Sequence, residues 1–510
     1  MRKALVSVSD KTNLIPFVTG LVEAGYQIVS TGGTKRVLDE AGIPTIAIDD
    51  LTGFPEMLDG RVKTLHPIVH GGLLGVRDNE YHVAQMKEHN IDPIDLVCVN
   101  LYPFKQTIAK EGCTLADAIE NIDIGGPSML RSAAKNHKFV TVVTDVNDYD
   151  RVLSEIKEFG DTTLQTRQML AVKVYALTAY YDSLIAAYLQ EQYNVTGLNT
   201  YTKGYELKQS LRYGENPHQE ANFYVDNHHY SYSLSTAKQL HGKELSYNNI
   251  QDANATLQIL KDFSEQPCVV AVKHMNPCGV GIADDIDTAW QKAYDADPVS
   301  IFGGIVAFNR EVDVHCATAM SQMFLEIILA PSFAPEAFEI LSRKKNIRLM
   351  TFDLNGKDSK EKCVSVVGGL LVQNEDTYQE CAEDLRCVSE VEPTQEQIKD
   401  ALFGQRIVKH VKSNAIVVVK NGQTLGVGAG QMNRVGAAKI ALEQAGEKAK
   451  GAVLASDAFF PMNDTLELAA SYGISCVIQP GGSIKDQDSI DSANNHKIAM
   501  VMTGKRHFKH

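Results

Sequence analysis

Short apolar runs alternate with amphipathic stretches through the first 150 residues. The runs at 4–8, 27–30, 45–48, 94–99 and 139–143 are rich in β-branched residues and apolar on both faces, and the stretches between them are long enough for helices. A strand that is apolar on both sides must be covered on both sides, so the pattern predicts a doubly wound parallel sheet with helices on its two faces. Leu170, Val174, Leu177, Tyr181, Leu184 and Tyr188 then recur at steps of four and three, which predicts a long helix with one apolar stripe for packing or subunit contact. Residues 194–206 are polar, turn-prone and aperiodic, so the domains are expected at 1–195 and 196–510.

The second part is again α/β in pattern, with candidate strands at 268–272, 305–308, 364–372, 415–419, 453–454 and 476–478. An acidic, polar segment at 374–397 is expected to divide it into two subdomains. VVAVKHMNPCGVG at 269–281 and IVVVKNGQTLGVG at 416–428 are each an apolar run, a Lys and a glycine-containing turn, a weak internal echo that suggests duplication.

Composition narrows the function. A chain of 510 residues has room for roughly three domains. Its 49 Lys and Arg against 63 Asp and Glu leave a formal charge of −14, with no basic run to offset it. That argues against a general binder of nucleic acid or anionic membrane and leaves local basic pockets for small anions. No apolar stretch approaches the ~20 residues of a membrane span, and MRKALVSVSDKTN lacks the apolar core of a signal peptide, so a cytoplasmic address is expected. Nine scattered cysteines without a Cys-x-x-Cys pair read as reduced thiols.

Three loops of the first part share one chemistry. SVSDKT (7–12) and VSTGGT (29–34) follow strands, and GRVKTLHP (60–67) sets Arg61, Lys63 and Thr64 within five residues. Each alone could be an ordinary turn; together their hydroxyls, amides and cations suit a phosphorylated small molecule. NLYPF (100–104) and IDIGGPSMLRSAAKNH (122–137) add Tyr102, Asp123 before a helix start and Lys135 near that helix's end. An Asp there is usually a cap and a Lys there a dipole partner. In the second part Lys273 and His274 end a wholly apolar strand, where side chains reach the crevice at the carboxyl end of a sheet. LRYGENPHQ (211–219) contributes Arg212 and Tyr213, and GAGQMNR (428–434) contributes Arg434. His218-x-Glu220 with Pro277-Cys278 is a partial match to zinc deaminases, but Gly281 stands where their second cysteine belongs.

These motifs, with LTGFPEML, SNAI, SDAFFP and QPGGS, resemble closely, over nearly the whole chain, the bifunctional purine-biosynthesis family with phosphoribosylaminoimidazolecarboxamide (AICAR) formyltransferase and IMP cyclohydrolase activities. The resemblance implies a methylglyoxal-synthase-like cyclohydrolase domain at the amino terminus. There Ser9, Lys11, Thr31, Gly33, Thr34, Arg61, Lys63 and Thr64 would hold the nucleotide. Tyr102, Asp123 and Lys135 would line the reacting end, with Asp123 and Lys135 as acid and base in either order. It implies a formyltransferase of two cytidine-deaminase-like subdomains without zinc, with 10-formyltetrahydrofolate as cosubstrate. His274 would take the proton of the attacking amine, Lys273 would serve the leaving nitrogen or the oxyanion, and Asn414 would orient His274 and the formyl group. Arg212, Tyr213, Arg434 and Arg506 would bind AICAR, and Glu326, Phe459 and Phe460 would line the substrate region. It further implies a homodimer with formyltransferase sites at the interface and no catalytic metal. Two departures stand out: Met275 where the family motif carries Ala, and Met462-Asn463-Asp464 where Phe-Arg-Asp is common. A regulatory nucleotide-binding role for one half is the alternative from another class.

Overall fold

The β-branched runs of the amino-terminal part become β1 (Arg2–Ser7), β2 (Tyr26–Ser30), β3 (Thr45–Ala47), β4 (Leu96–Val99) and β5 (Thr141–Val143). They form a parallel sheet in the order β3-β2-β1-β4-β5. Consecutive residues Ala4, Leu5 and Val6 are all fully buried, so both faces of the central strand are covered. The strand order reverses between β1 and β4, which opens a crevice beyond their carboxyl ends. The long apolar stripe forms a helix over Leu164–Tyr193, capped by Asn194 in the left-handed region at φ 52°. This computed structural model describes residues 2–226 and 230–510. They fall into two compact units, Met1–Glu206 and Leu207–His510. The division lies inside β6 (Tyr205–Leu211), which pairs with β7 (Ala221–Asp226).

The second unit is built twice over. After β8 (Lys238–His241), a helix over Tyr247–Leu260 leads into a hairpin of β9 (Cys268–Lys273) and β10 (Asn276–Ile282). The helix Ile286–Ala296, β11 (Ile305–Phe308), the helix Val314–Ser321, β12 (Ile327–Ala330), the helix Pro335–Ser342 and β13 (Arg348–Thr351) follow. Past an isolated hairpin of β14 (Glu361–Val366) and β15 (Gly369–Asn374) and the short β16 (Arg386–Cys387), the sequence of elements repeats. The second copy runs from the helix Gln395–Val408 through the hairpin β17 (Ile416–Lys420) and β18 (Gln423–Gly428), then the helix Arg434–Ala445 and β19 (Val453–Ser456). It ends with the helix Asp464–Ser471, β20 (Cys476–Gln479), the helix Asp486–His496 and β21 (Ala499–Met502). The two copies share one twelve-stranded sheet and meet where β10 and β18 pair antiparallel, at Gly281 and Gln423.

The GVG echo has a packing cause. A Cβ at Gly279 or Gly281 would lie 2.0 or 2.4 Å from carbonyls of the helix Ile286–Ala296. At Gly426 and Gly428 it would lie 1.9 Å from carbonyls of the helix Arg434–Ala445. Each helix thus crosses the backbone of its own hairpin at a distance only glycine allows. Residues 364–372, read from sequence as one strand, instead form the β14–β15 hairpin. Gly368, at φ 74°, lets the chain reverse between them.

Candidate active site

Above the switch point of the first unit lies a cavity of about 580 Å³. Its floor comes from the loops after β1, β2 and β4, and one wall from residues 59–64 and 119–126. The loops are pinned to each other. Ser7 Oγ and Thr31 Oγ1 lie 2.7 Å apart, and Val8 N donates to Thr34 Oγ1 at 3.0 Å. Asn100 Oδ1 accepts from the amides of Ser9 and Asp10 at 2.5 and 3.0 Å. Asn100 was missed as a site residue; its signal was a polar side chain directly after the buried strand β4. Thr31 is the N-cap of the helix Gly32–Glu40, whose first turn faces the cavity with Gly32, Gly33 and Thr34, an arrangement suited to a phosphate. Lys63 is ion-paired with Glu56 at 2.8 Å and Arg61 with Glu120, both pairs formed by residues a bound anion could re-partner.

Ten of the eleven residues expected at this site line the cavity: Ser9, Lys11, Thr31, Gly33, Thr34, Arg61, Lys63, Thr64, Tyr102 and Asp123. Lys135 does not. It closes the last turn of the helix Gly125–Lys135 and is exposed, whereas Gly125 and Gly126 of the first turn line the cavity. A rise of about 1.5 Å per residue sets the two ends about 15 Å apart. Asp123 is both cap and cavity residue. Its carboxylate accepts from Gly126 N at 2.8 Å and from Tyr102 N at 3.3 Å. Burial pushes its pKa above the usual carboxylate range, against the pull of those two bonds.

In the second unit the turn after β9 presents Lys273 and the exposed His274. Lys273 Nζ donates to Phe302 O at 2.9 Å, beside the exposed rings of Phe302 and Phe324, whose centroids are 5.7 Å apart. The turn touches the second repeat through Asn276, whose Oδ1 accepts from Lys412 N at 3.3 Å and whose Nδ2 donates to His274 O at 3.0 Å. Asn414 follows two residues after Lys412, just before β17. Asn414 Nδ2 donates to Gln431 O at 2.8 Å, and its Oδ1 accepts from Arg434 Nη2 at 2.8 Å.

Arg434, expected to bind AICAR, is an interior residue, 5% exposed. Its Nη1 pairs with the fully buried Asp457 and donates to Ser456 Oγ at 2.8 Å. Phe460, expected to line the substrate region, is likewise fully buried, in the core of the second repeat. Phe459 is half-buried, and Glu326 holds Arg348 at 2.7 Å. Arg212 lies over the Tyr213 ring at 5.7 Å and Arg506 over Phe508 at 4.7 Å, both arginines exposed. Cys278, from the partial zinc motif, has its thiol pushed up to about 12 by burial. Among the described residues, no three His, Cys, Asp or Glu are grouped to hold a metal ion, and no helix is long and apolar enough to cross a membrane.

Comparison with known proteins identifies the family. A family model described as AICARFT/IMPCHase bienzyme matches residues 133–444, and one described as MGS-like domain matches residues 13–128. Curated relatives from Anoxybacillus flavithermus (strain DSM 21510 / WK1) and Bacillus cereus (strain ATCC 10987 / NRS 248) are 61% and 60% identical over 510 residues, covering 100% of each chain. Both are named bifunctional purine biosynthesis protein PurH. A solved structure described as the crystal structure of ForH is 39% identical over 36% of this chain and 95% of that one, with a TM-score of 0.34. With a family model over more than half its length and full-length relatives at this identity, the chain belongs to the AICARFT/IMPCHase bienzyme family.

Proposed function

We propose that the chain carries out two consecutive steps of purine biosynthesis: formylation of AICAR, and dehydrative closure of formyl-AICAR to IMP. The observation that carries the reading of the first unit is the single cavity that collects ten of the eleven expected residues. The hydroxyls, the helix amides and the cations at Lys11, Arg61 and Lys63 would bind the nucleotide phosphate. In ring closure the carboxamide nitrogen adds to the formyl carbon, a proton leaves that nitrogen, and the carbinol hydroxyl departs as water. Asp123, whose pKa burial raises above the usual carboxylate range, is suited to shuttle that proton beside Tyr102.

In the second unit we read His274, Lys273 and Asn414 as the formyl-transfer group. The AICAR amine attacks the formyl carbon of 10-formyltetrahydrofolate, the new C–N bond forms as the C–N bond to the folate breaks, and the amine proton goes to His274. The leaving nitrogen takes a proton from the Lys273 side. The exposed aromatic pair Phe302 and Phe324 beside Lys273 supports a flat heteroaromatic donor there. Arg434 then serves through Asn414 and does not touch substrate. The exposure of Arg212 and Arg506 in the single chain supports a homodimer that completes these sites. The order helix, antiparallel hairpin and three helix–strand steps supports a cytidine-deaminase-like reading of each repeat, and a cytoplasmic enzyme fits the whole.

The test is to mix the purified protein with AICAR and 10-formyltetrahydrofolate and follow tetrahydrofolate and IMP together. Matching rates are expected. Accumulating formyl-AICAR would instead make the first unit a binding module, and absence of both products would refute the proposal.

A further inference from the structure

We propose that Tyr181, in the middle of the long helix, is a positioning residue for ring closure; the inference rests on the reading of Asp123 as a reacting group. Residues 102–123 leave the sheet after β4, form the short helices Phe104–Ile108 and Leu115–Glu120, and return to the cavity. This excursion supplies Tyr102, Ile119, Glu120, Ile122 and Asp123 to the lining. It is not seated on the main core of the unit. Phe104 and Ala118 pack instead with Tyr181 and Leu184 of the long helix in a small cluster of their own. The rings of Phe104 and Tyr181 meet edge to face with centroids 6.2 Å apart.

Within that apolar seat the Tyr181 hydroxyl is the polar pin. It accepts from Asp123 N at 2.8 Å and donates to Asn121 O at 3.3 Å. The ring is 5% exposed, and burial pushes the hydroxyl up to about 12, so it keeps its proton and both bonds at neutral pH. The Asp123 carboxylate is held from the other side by Gly126 N and Tyr102 N. Asp123 is thus fixed at its backbone by the long helix and at its carboxylate by the cavity wall. A stripe that reads in sequence as packing therefore sets where the reacting carboxyl stands. Ring closure needs that carboxyl within hydrogen-bond reach of a moving proton, and displacement by about 1 Å can cost about 100-fold in rate.

The test is Tyr181→Phe in the full chain, which removes one oxygen and keeps the ring. With supplied formyl-AICAR, kcat for closure is expected to fall about 10-fold with KM within about twofold. Formyl transfer by the same chain is expected to stay unchanged. Because Tyr181 acts through Asp123, the same substitution in an Asp123→Asn background should change the residual rate less than about twofold. If Asp123→Asn alone leaves closure intact, the reading of Asp123 fails, and this inference with it. If Asp123→Asn is impaired but Tyr181→Phe closes the ring at the parent rate, only the positioning inference fails. It fails equally if the two losses multiply in the double variant, or if formyl transfer falls in step with closure.

Discussion

The two repeats of the second unit turn the same corner with different residues. Between β17 and β18 the chain reverses through Asn421 and Gly422, at φ 54° and 66°; between β9 and β10 it does so through His274 and Met275, at φ 53° and 62°. A two-residue hairpin turn with both φ values positive favours Asn-Gly, and side chains such as His and Met cost about 1–2 kcal/mol each in that region. Both turns are held by an Asp from the helix that precedes the hairpin. Asp400 accepts from Asn421 N and Gly422 N at 2.8 and 2.9 Å, and Asp252 accepts from Met275 N at 2.7 Å. The scaffold is the same, so the unfavourable pair in the first repeat is a local choice of side chain. It sets an imidazole at the tip, beside Lys273 and the Asn276 contact to the second repeat, where the other turn offers only a carboxamide and a glycine.

The largest effect should come from making the first turn like the second. Replacing His274-Met275 by Asn-Gly is expected to lower formyl transfer about 100-fold or more. It should leave closure of formyl-AICAR unchanged and raise unfolding stability by about 1 kcal/mol. Steady-state assays of both steps and a urea titration would read this; retained formyl transfer would remove His274 from the mechanism. A second difference follows the third strand of each repeat, where Asn309 stands after β11 and Asp457 after β19. Asn309 is fully buried and satisfied by backbone, accepting from Cys268 N at 2.8 Å and donating to Gln266 O at 2.8 Å. Asp457 carries a charge that answers Arg434. Asp457→Asn should therefore cost about 3 kcal/mol, because it strands a buried guanidinium, and should lower formyl transfer through the freed Asn414. A denaturant midpoint equal to that of the parent would show the pair to be dispensable.

The smallest effect concerns the carboxyl-terminal tail, which docks on the second repeat. His507, 2% exposed, lies 2.6 Å from Asp376 and 2.8 Å from Glu380, and its amide donates to Asp457 O at 2.8 Å. Burial pulls its pKa down, but the two carboxylates outweigh it and push it up to about 9. A pKa raised on folding stabilises fully below the unfolded value of about 6.5, and that contribution is lost as pH rises through 9. Lys509, drawn down to about 8 chiefly by burial, works in the opposite sense above that pH, so the His507 effect is cleanest between pH 6.5 and 8. Stability is expected to fall by about 2 kcal/mol across that interval and to lose this slope in His507→Gln, as read by urea titrations at the two pH values.

Much of this molecule was legible before folding. Runs apolar on both faces marked the five parallel strands of the first unit, and hydroxyls, glycines and cations after those strands marked the loops that meet in its cavity. The GVG echo marked the duplicated hairpins. Short strands such as β12 and β13 were passed over, since four buried residues carry too little periodicity to separate strand from helix. The sequence by itself thus determined the local elements, the parallel sheet and the set of polar residues available to bind a phosphorylated substrate, because periodicity records which side of each segment is buried. Tertiary structure decided what each polar residue faces. It turned Arg434 inward to Asp457, buried Phe460, carried Lys135 to the far end of its helix and brought Tyr181 to Asp123 over a sequence separation of 58. The physical reason is that burial pattern depends on neighbours along the chain, whereas the partner of a charge or a hydroxyl depends on which distant segments pack against it.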